Sequence, residues 1–403
     1  MLFEEIPLNN DAIAFVLELG KALHEAGAPA HRLEDAIGEL SPRLGIEARV
    51  FSSPTGIFLS FGDPADQKTV LLRVDPSGID LERMSLLDEL IEAFSKGTLG
   101  VREAREQLAA IARLRPRYPG WMMVLAFALA SATVARFLGG GLKEIAAAAL
   151  IGLQTGLLTR WTGIARVSDW ITSLAAGATS VLLAALFGPL AATLSAIAGL
   201  IVIVPGLTLT VALTELATRN LVAGTARMAG AAMTFLAIGF GLAIGAKLAP
   251  LAGGNVLMLP AQTLPWWTEV VALVVSPIAL TIGFRARPRD GWVIFAAGAI
   301  AFGIARFVSS RGGPEIGMLS AAFAAGLIGN AYARVLRRPA AVPVVPALLF
   351  IVPGTLGVRG VESLVARDVV PGVELLFTLM VMVSALAAGL LFANLALPPR
   401  KSL

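Results

Sequence analysis

From about residue 119 onward the chain is a succession of apolar blocks separated by short polar or Arg-bearing loops. The blocks run at about 121–138, 142–160, 167–188, 190–218, 222–248, 266–284, 291–308, 315–336, 340–365 and 370–396. A spanning helix needs about 20 predominantly apolar residues, so this pattern predicts about ten transmembrane helices. Two blocks carry the same interruption, Ile203-Val204-Pro205-Gly206 and Ile351-Val352-Pro353-Gly354. Proline removes a backbone donor, and lipid cannot satisfy the groups freed at such a break, so it survives only against protein or a cavity.

Before residue 119 the pattern alternates between helical and β periods. Amphipathic spacing predicts helices over Ala12–Glu25, Ala30–Leu44, Leu81–Lys96 and Val101–Arg113. Glu47–Phe61 reads as β, with Ser53-Pro54-Thr55-Gly56 as its turn, and Thr69–Val74 as a partner strand. These segments predict a small α/β unit over 1–118.

Charge separates the two regions. Residues 1–118 carry 13 Lys/Arg and 19 Asp/Glu, and residues 119–403 carry 19 and 9. Apolar residues make up 56% of the chain and the mean hydropathy is +0.78, values of a polytopic membrane protein. With 1–118 in the cytoplasm, the inner loops receive fifteen Lys/Arg, among them Arg166, Arg227, Arg285, Arg400 and Lys401, against seven outside. That bias supports the span count and places both termini inside. The basic residues are accounted for by topology, so no nucleic-acid partner is implied. Met1-Leu2-Phe3-Glu4-Glu5 lacks the basic start of a cleavable signal. With no cysteine, disulfides and thiolate metal sites are excluded.

The interruption belongs to a longer repeat. At an offset of 148, Ile203, Val204, Pro205, Gly206, Leu216, Arg219, Val222 and Gly224 meet identical residues, and Asn220 meets Asp368. A second register, pairing Ala135-Arg136-Phe137 with Ala305-Arg306-Phe307, leaves one span unpaired. Five spans per repeat is an odd number, so the second half enters the membrane inverted. Broken helices in inverted halves mark the binding site of an alternating-access transporter. The expected fold is therefore an all-α polytopic membrane domain of about ten transmembrane helices, in two inverted five-helix repeats with broken helices, preceded by a small α/β cytoplasmic domain. Its boundaries are 1–118, 119–250 and 251–403.

The candidate substrate site gathers the polar residues around the breaks: Pro205, Gly206, Thr208, Thr210 and Asn220 in the first half, and Pro353, Gly354, Thr355, Arg367 and Asp368 in the second. Glu215, Arg219 and Glu362 are candidates for proton coupling, with arginines as carboxylate anchors. A same-helix ion pair between Glu215 and Arg219 is the competing structural role. Ser131, Thr133, Gln154 and Thr155 read as helix-packing polar residues. The histidines, His24 and His31, are separated by Gly27-Ala28-Pro29, which breaks the single face a metal or catalytic pair would share. No nucleophile, base and orienter can be assembled, so a membrane-bound hydrolase or sensor using the N-terminal domain has little chemistry behind it.

Several stretches carry a family resemblance: Leu19-Gly20, Ala26-Gly27-Ala28-Pro29-Ala30-His31-Arg32-Leu33-Glu34, Val50 through Gly62 with Pro54-Thr55-Gly56-Ile57-Phe58, Tyr118-Pro119-Gly120-Trp121, and Leu125 through Ala132. In these the chain resembles the bacterial threonine/serine exporter family. The carboxyl half, with Pro353-Gly354, resembles that family's second, smaller module. The resemblance implies proton-motive-force-driven export of L-threonine and L-serine across the bacterial inner membrane, with protons as the coupled partner and no cofactor. It singles out His31, Arg32, Pro54, Thr55 and Gly56 as motif residues of the cytoplasmic domain, and it allows a homo-oligomer. Two-subunit relatives are associated with dicarboxylate export instead.

Overall fold

The computed structural model of the chain describes residues 10–63, 67–75, 78–161, 163, 167–248 and 261–399. The first five residues, Arg166, Arg400, Lys401 and the expected boundary at 250–251 lie outside them.

The N-terminal unit runs α1 (Asn10–Glu25), α2 (Ala30–Leu40), β1 (Ala48–Ser53), β2 (Gly56–Phe61), β3 (Lys68–Arg73), α3 (Leu81–Ser95) and α4 (Val101–Arg113). The strands form an antiparallel sheet in chain order, with Val50 opposite Leu59 and Leu59 opposite Val70. Alternation turns Ile57, Leu59 and Phe61 into a core shared with Phe15, Leu19 and Leu23 of α1 and with Leu33, Ile37 and Leu40 of α2. Asp80 caps α3 by accepting from the Arg83 N–H at 3.0 Å. Gly27 adopts φ +87°, and a Cβ there would sit 2.9 Å from the Ile79 Cα, so only glycine lets the end of α1 approach the start of α3 this closely.

Among the described residues twelve further α-helices follow: α5 (Gly120–Phe137), α6 (Leu142–Leu158), α7 (Ser168–Phe187), α8 (Ala192–Gly199), α9 (Gly206–Ala217), α10 (Leu221–Leu248), α11 (Trp267–Gly283), α12 (Gly291–Gly312), α13 (Pro314–Leu336), α14 (Ala341–Ile351), α15 (Gly354–Val365) and α16 (Val369–Ala396). Among the described residues, six helices (α5, α7, α10, α12, α13 and α16) are long and apolar enough to cross a membrane. The number is seven if α14 and α15, bent by 41° at their break, form one span. The chain is a multi-pass membrane protein, mostly helical, with one small three-stranded sheet.

Helix boundaries recur at the offset of 148. α9 and α15 are both 12 residues long, and α10 and α16 are both 28. Packing recurs with them: α7 lies on α10 and α13 on α16, α9 on α10 and α15 on α16. The two sets are also exchanged, since α10 packs on α15 and α16 on α9.

Candidate functional site

At both breaks the chain makes the same turn, with Pro205 at φ −83°, ψ 35° and Pro353 at φ −81°, ψ 40°. Each proline precedes a new helix, and the two helix starts lie against each other. A Cβ on Gly206 would be 2.3 Å from Val352 Cγ1 and 3.3 Å from Gly354 Cα. A Cβ on Gly354 would be 2.6 Å from Val204 Cγ1 and 3.6 Å from Gly206 Cα. The valine before each proline thus covers the glycine of the other half. A side chain at either position would run into the valine opposite, and the meeting point is shut in this conformation. The positive ends of two helix dipoles, α9 and α15, converge there.

Backbone groups freed at the first break are satisfied from neighbouring helices. Ser131 of α5 and Thr155 of α6 both donate to the Gly199 carbonyl, at 3.2 and 3.3 Å. Both are buried, and their packing role carries this specific task. The Gln154 Oε1, one residue before Thr155, is buried without a partner among the described residues.

The polar residues after the breaks separate into groups. The Thr210 hydroxyl donates to the Gly206 carbonyl at 3.0 Å, within its own helix. Thr208 is exposed and Thr355 half-buried. Arg219 and Arg367 adopt φ 67° and 70° as exposed helix-ending residues. In each case the next residue's N–H returns five residues to close the helix, Asn220 to Glu215 at 2.8 Å and Asp368 to Ser363 at 2.9 Å. These are two copies of one left-handed helix cap. Asn220 also donates to the Thr218 hydroxyl at 3.2 Å, and Asp368 is exposed.

The left-handed turn carries Arg219 off the face of α9, so the competing Glu215–Arg219 pair does not form among the described residues. Glu215 is instead fully buried and accepts from Arg227 Nε of α10 at 3.0 and 3.1 Å. It also accepts at 3.1 Å from the backbone N–H of Ala30, the first residue of α2. An α-helix leaves its first N–H groups unsatisfied, and here one of them binds a membrane-helix carboxylate 185 residues away. Glu362, half-buried on α15, has no ion pair among the described residues, and Arg359 is its charged neighbour.

The cytoplasmic-domain motifs surround this contact. Pro29 starts α2, which places Ala30 and His31 at the membrane unit. Burial, together with Arg32 and Arg227, pushes the His31 imidazole down to about 4, and its Nδ1 is buried without a partner among the described residues. Burial also lowers His24, whose Nε2 lies 3.3 Å from the Asp75 carbonyl. Burial holds the Arg32 guanidinium below its ordinary value and raises the Glu34 carboxyl, which accepts from the Ser52 N–H at 2.7 Å. Pro54 and Thr55 are the two-residue turn between β1 and β2, with Pro54 buried and Thr55 exposed, and Gly56 opens β2. Among the described residues no group of three or more His, Asp or Glu is placed to hold a metal ion.

A second seam joins the N-terminal unit to the loop between α11 and α12. Asp80 pairs with Arg285 at 3.2 Å and Glu89 with Arg287 at 2.7 Å. The Leu81 N–H donates to the Phe284 carbonyl at 3.0 Å, and the Tyr118 hydroxyl to the Ala286 carbonyl at 2.9 Å. The acidic excess of 1–118 thus meets the arginines of the membrane loops. At the opposite end, Arg136 and Arg306 share Glu269, at 3.4 and 2.7 Å, so both copies of the Ala-Arg-Phe triplet bind one carboxylate.

Residues 14–249 match a family model described as "Putative threonine/serine exporter", and residues 269–396 match a second described as "Threonine/Serine exporter, ThrE". The chain is 29% identical over 366 residues to an uncharacterized protein of Schizosaccharomyces pombe, covering 86% of this chain and 48% of that protein. It is 27% identical over 368 residues to pheromone-regulated membrane protein 10 of Candida albicans, covering 87% and 33%. The chain therefore spans less than half the length of these curated relatives. No solved structure matches it.

Proposed function

Since the chain belongs to the threonine/serine exporter family, we propose that it is a secondary exporter of L-threonine and L-serine, driven by the proton motive force. In this reading 119–250 and 251–403 are inverted halves of five spans each, with α8–α9 and α14–α15 as the broken spans. Access alternates around the Gly206–Gly354 contact. The observation that carries the reading is the convergence of two half-helix N-termini where the halves meet. Helix N-termini favour a carboxylate, the group both amino acids share, and unwound carbonyls favour the ammonium. Pro205, Pro353, Thr208, Thr210 and Thr355 line the path, Thr355 offering a hydroxyl contact.

Coupling falls on Glu362, which has no ion pair to give up, and on Glu215 once Arg227 and Ala30 release it. Arg219, Asn220, Arg367 and Asp368 flank the two mouths of the path. The N-terminal domain lies in the cytoplasm of a bacterial cell, on the arginine-rich side of its inner membrane, with both termini inside; the seam with Arg285 and Arg287 supports this side.

Counterflow in proteoliposomes tests the substrate. Vesicles loaded with unlabelled threonine should accumulate labelled threonine and serine transiently. Counterflow of a dicarboxylate such as succinate, with none of threonine or serine, would refute the substrate and favour the dicarboxylate branch. Movement without saturation would indicate a channel.

A further inference from the structure

The N-terminal domain is bound to both halves of the membrane unit on one side. In the first half, the Ala30 N–H and Arg227 hold Glu215 near the end of α9. In the second, Asp80, Leu81 and Tyr118 hold the loop residues Arg285, Phe284 and Ala286. The two clasps leave the domain from one knot: the Asp80 N–H donates to the Ala26 carbonyl at 3.0 Å, and Gly27 packs on Ile79. Ala30 and Leu81 are therefore fixed relative to each other by the domain's own core, and a rigid piece links α9 to the α11–α12 loop.

We propose that the N-terminal domain is a brake on transport: a strap that keeps the domain-facing side of the two halves together until the Ala30–Glu215 clasp opens. This rests on the exporter reading, because α9 and α14, whose first residue Ala341 packs on the domain core, are the half-helices that have to part for that side to open. The lining of the clasp supports it. Glu215 is fully buried, its partners among the described residues are Arg227 and Ala30, and loss of the Ala30 N–H leaves a carboxylate under-satisfied. The α2 start is built to be a donor and little else. Pro29 sits at φ −61°, ψ 153°, and the side chain at this cap makes no hydrogen bond of its own.

The geometry offers a narrow test. Proline is favoured at the first position of a helix and tolerated after an extended residue, so Ala30→Pro removes the domain's donor to Glu215, leaves Arg227 in place and leaves α2 able to form. Two readouts are taken on the full chain in proteoliposomes: hydrogen exchange of the α9 amides, and the initial rate of threonine counterflow. The brake predicts faster exchange over 206–217, by roughly tenfold for loss of one charge-assisted hydrogen bond, and faster counterflow. Arg285→Gly, at φ 53°, loosens the other clasp without backbone strain and should act in the same direction with a smaller effect. Unchanged α9 exchange in both variants overturns the proposal, and so does slower counterflow from folded protein. If the parent moves neither threonine nor serine, the exporter reading fails by itself, and the exchange measurement still decides whether the strap exists.

Discussion

Substituting Gly206 by Ala places a methyl group 2.3 Å from Val352 Cγ1, more than 1 Å inside ordinary contact, while the nearest backbone atom of the other half is 3.3 Å away. Most of the conflict is therefore with one side chain. Overpacking of this kind costs about 1–3 kcal/mol. Val352→Ala alone removes two methyl groups from a half-buried position, a loss of about 1 kcal/mol. In the double variant the new methyl occupies the space Val352 vacates. The double variant should be less destabilised than the two single changes together by about 1–2 kcal/mol. Denaturant unfolding of the purified protein in detergent, run as a four-member cycle, measures this coupling. Gly354→Ala with Val204→Ala, at 2.6 Å, repeats the test from the other half. Additivity within about 0.5 kcal/mol in both cycles would refute the claim that the breaks pack directly on one another.

Arg219 and Arg367 sit in left-handed caps, where a non-glycine residue is strained by roughly 1–2 kcal/mol. Arg219→Gly and Arg367→Gly should each raise the unfolding midpoint and leave threonine flux intact; a loss of flux would instead make the arginines substrate anchors. His31 gives the fold a pH dependence. Its imidazole is lowered from 6.5 to about 4 in the folded protein, so its contribution to stability is fully present above pH 6.5 and is lost as pH falls toward 4. Between pH 7 and pH 5 this lowers the stability of the folded protein by about 2 kcal/mol, read as faster proteolysis of the N-terminal unit. Arg32 and Arg227 are the charged groups that act on the imidazole. Glu34, raised by burial, acts in the opposite sense where it protonates. Glu362→Gln should leave counterflow in place and abolish its acceleration by a proton gradient; retained acceleration would remove the coupling assignment.

Much of the architecture was legible from local pattern. The three strands formed around Ser53–Gly56 and from Lys68 because alternation and turn chemistry act over a few residues. Helix limits followed the apolar blocks, and the offset of 148 reappears in α9 with α15 and in α10 with α16. Partner choice was not legible. The i,i+4 rule offered Glu215–Arg219 as one of two roles, but that rule assumes a continuing helix, and Arg219 ends one. Arg227 read only as an inward-side loop charge, whereas it lies one and a half turns into α10 and faces α9. The Ala30 contact has no sequence signal, because its donor is a backbone N–H. The Pro29 start before His31 and Arg32 marked a helix N-terminus without marking what it would bind.

The central claim is that the touching breaks form the transport path. Everted vesicles carrying the parent or Gly206→Val, each at equal folded amount, are given an imposed proton gradient and labelled L-threonine. The account predicts accumulation by the parent and none by the valine variant, whose added side chain meets Val352 and the Gly354 backbone. Equal accumulation by both, or none by the parent with either threonine or serine, would contradict it.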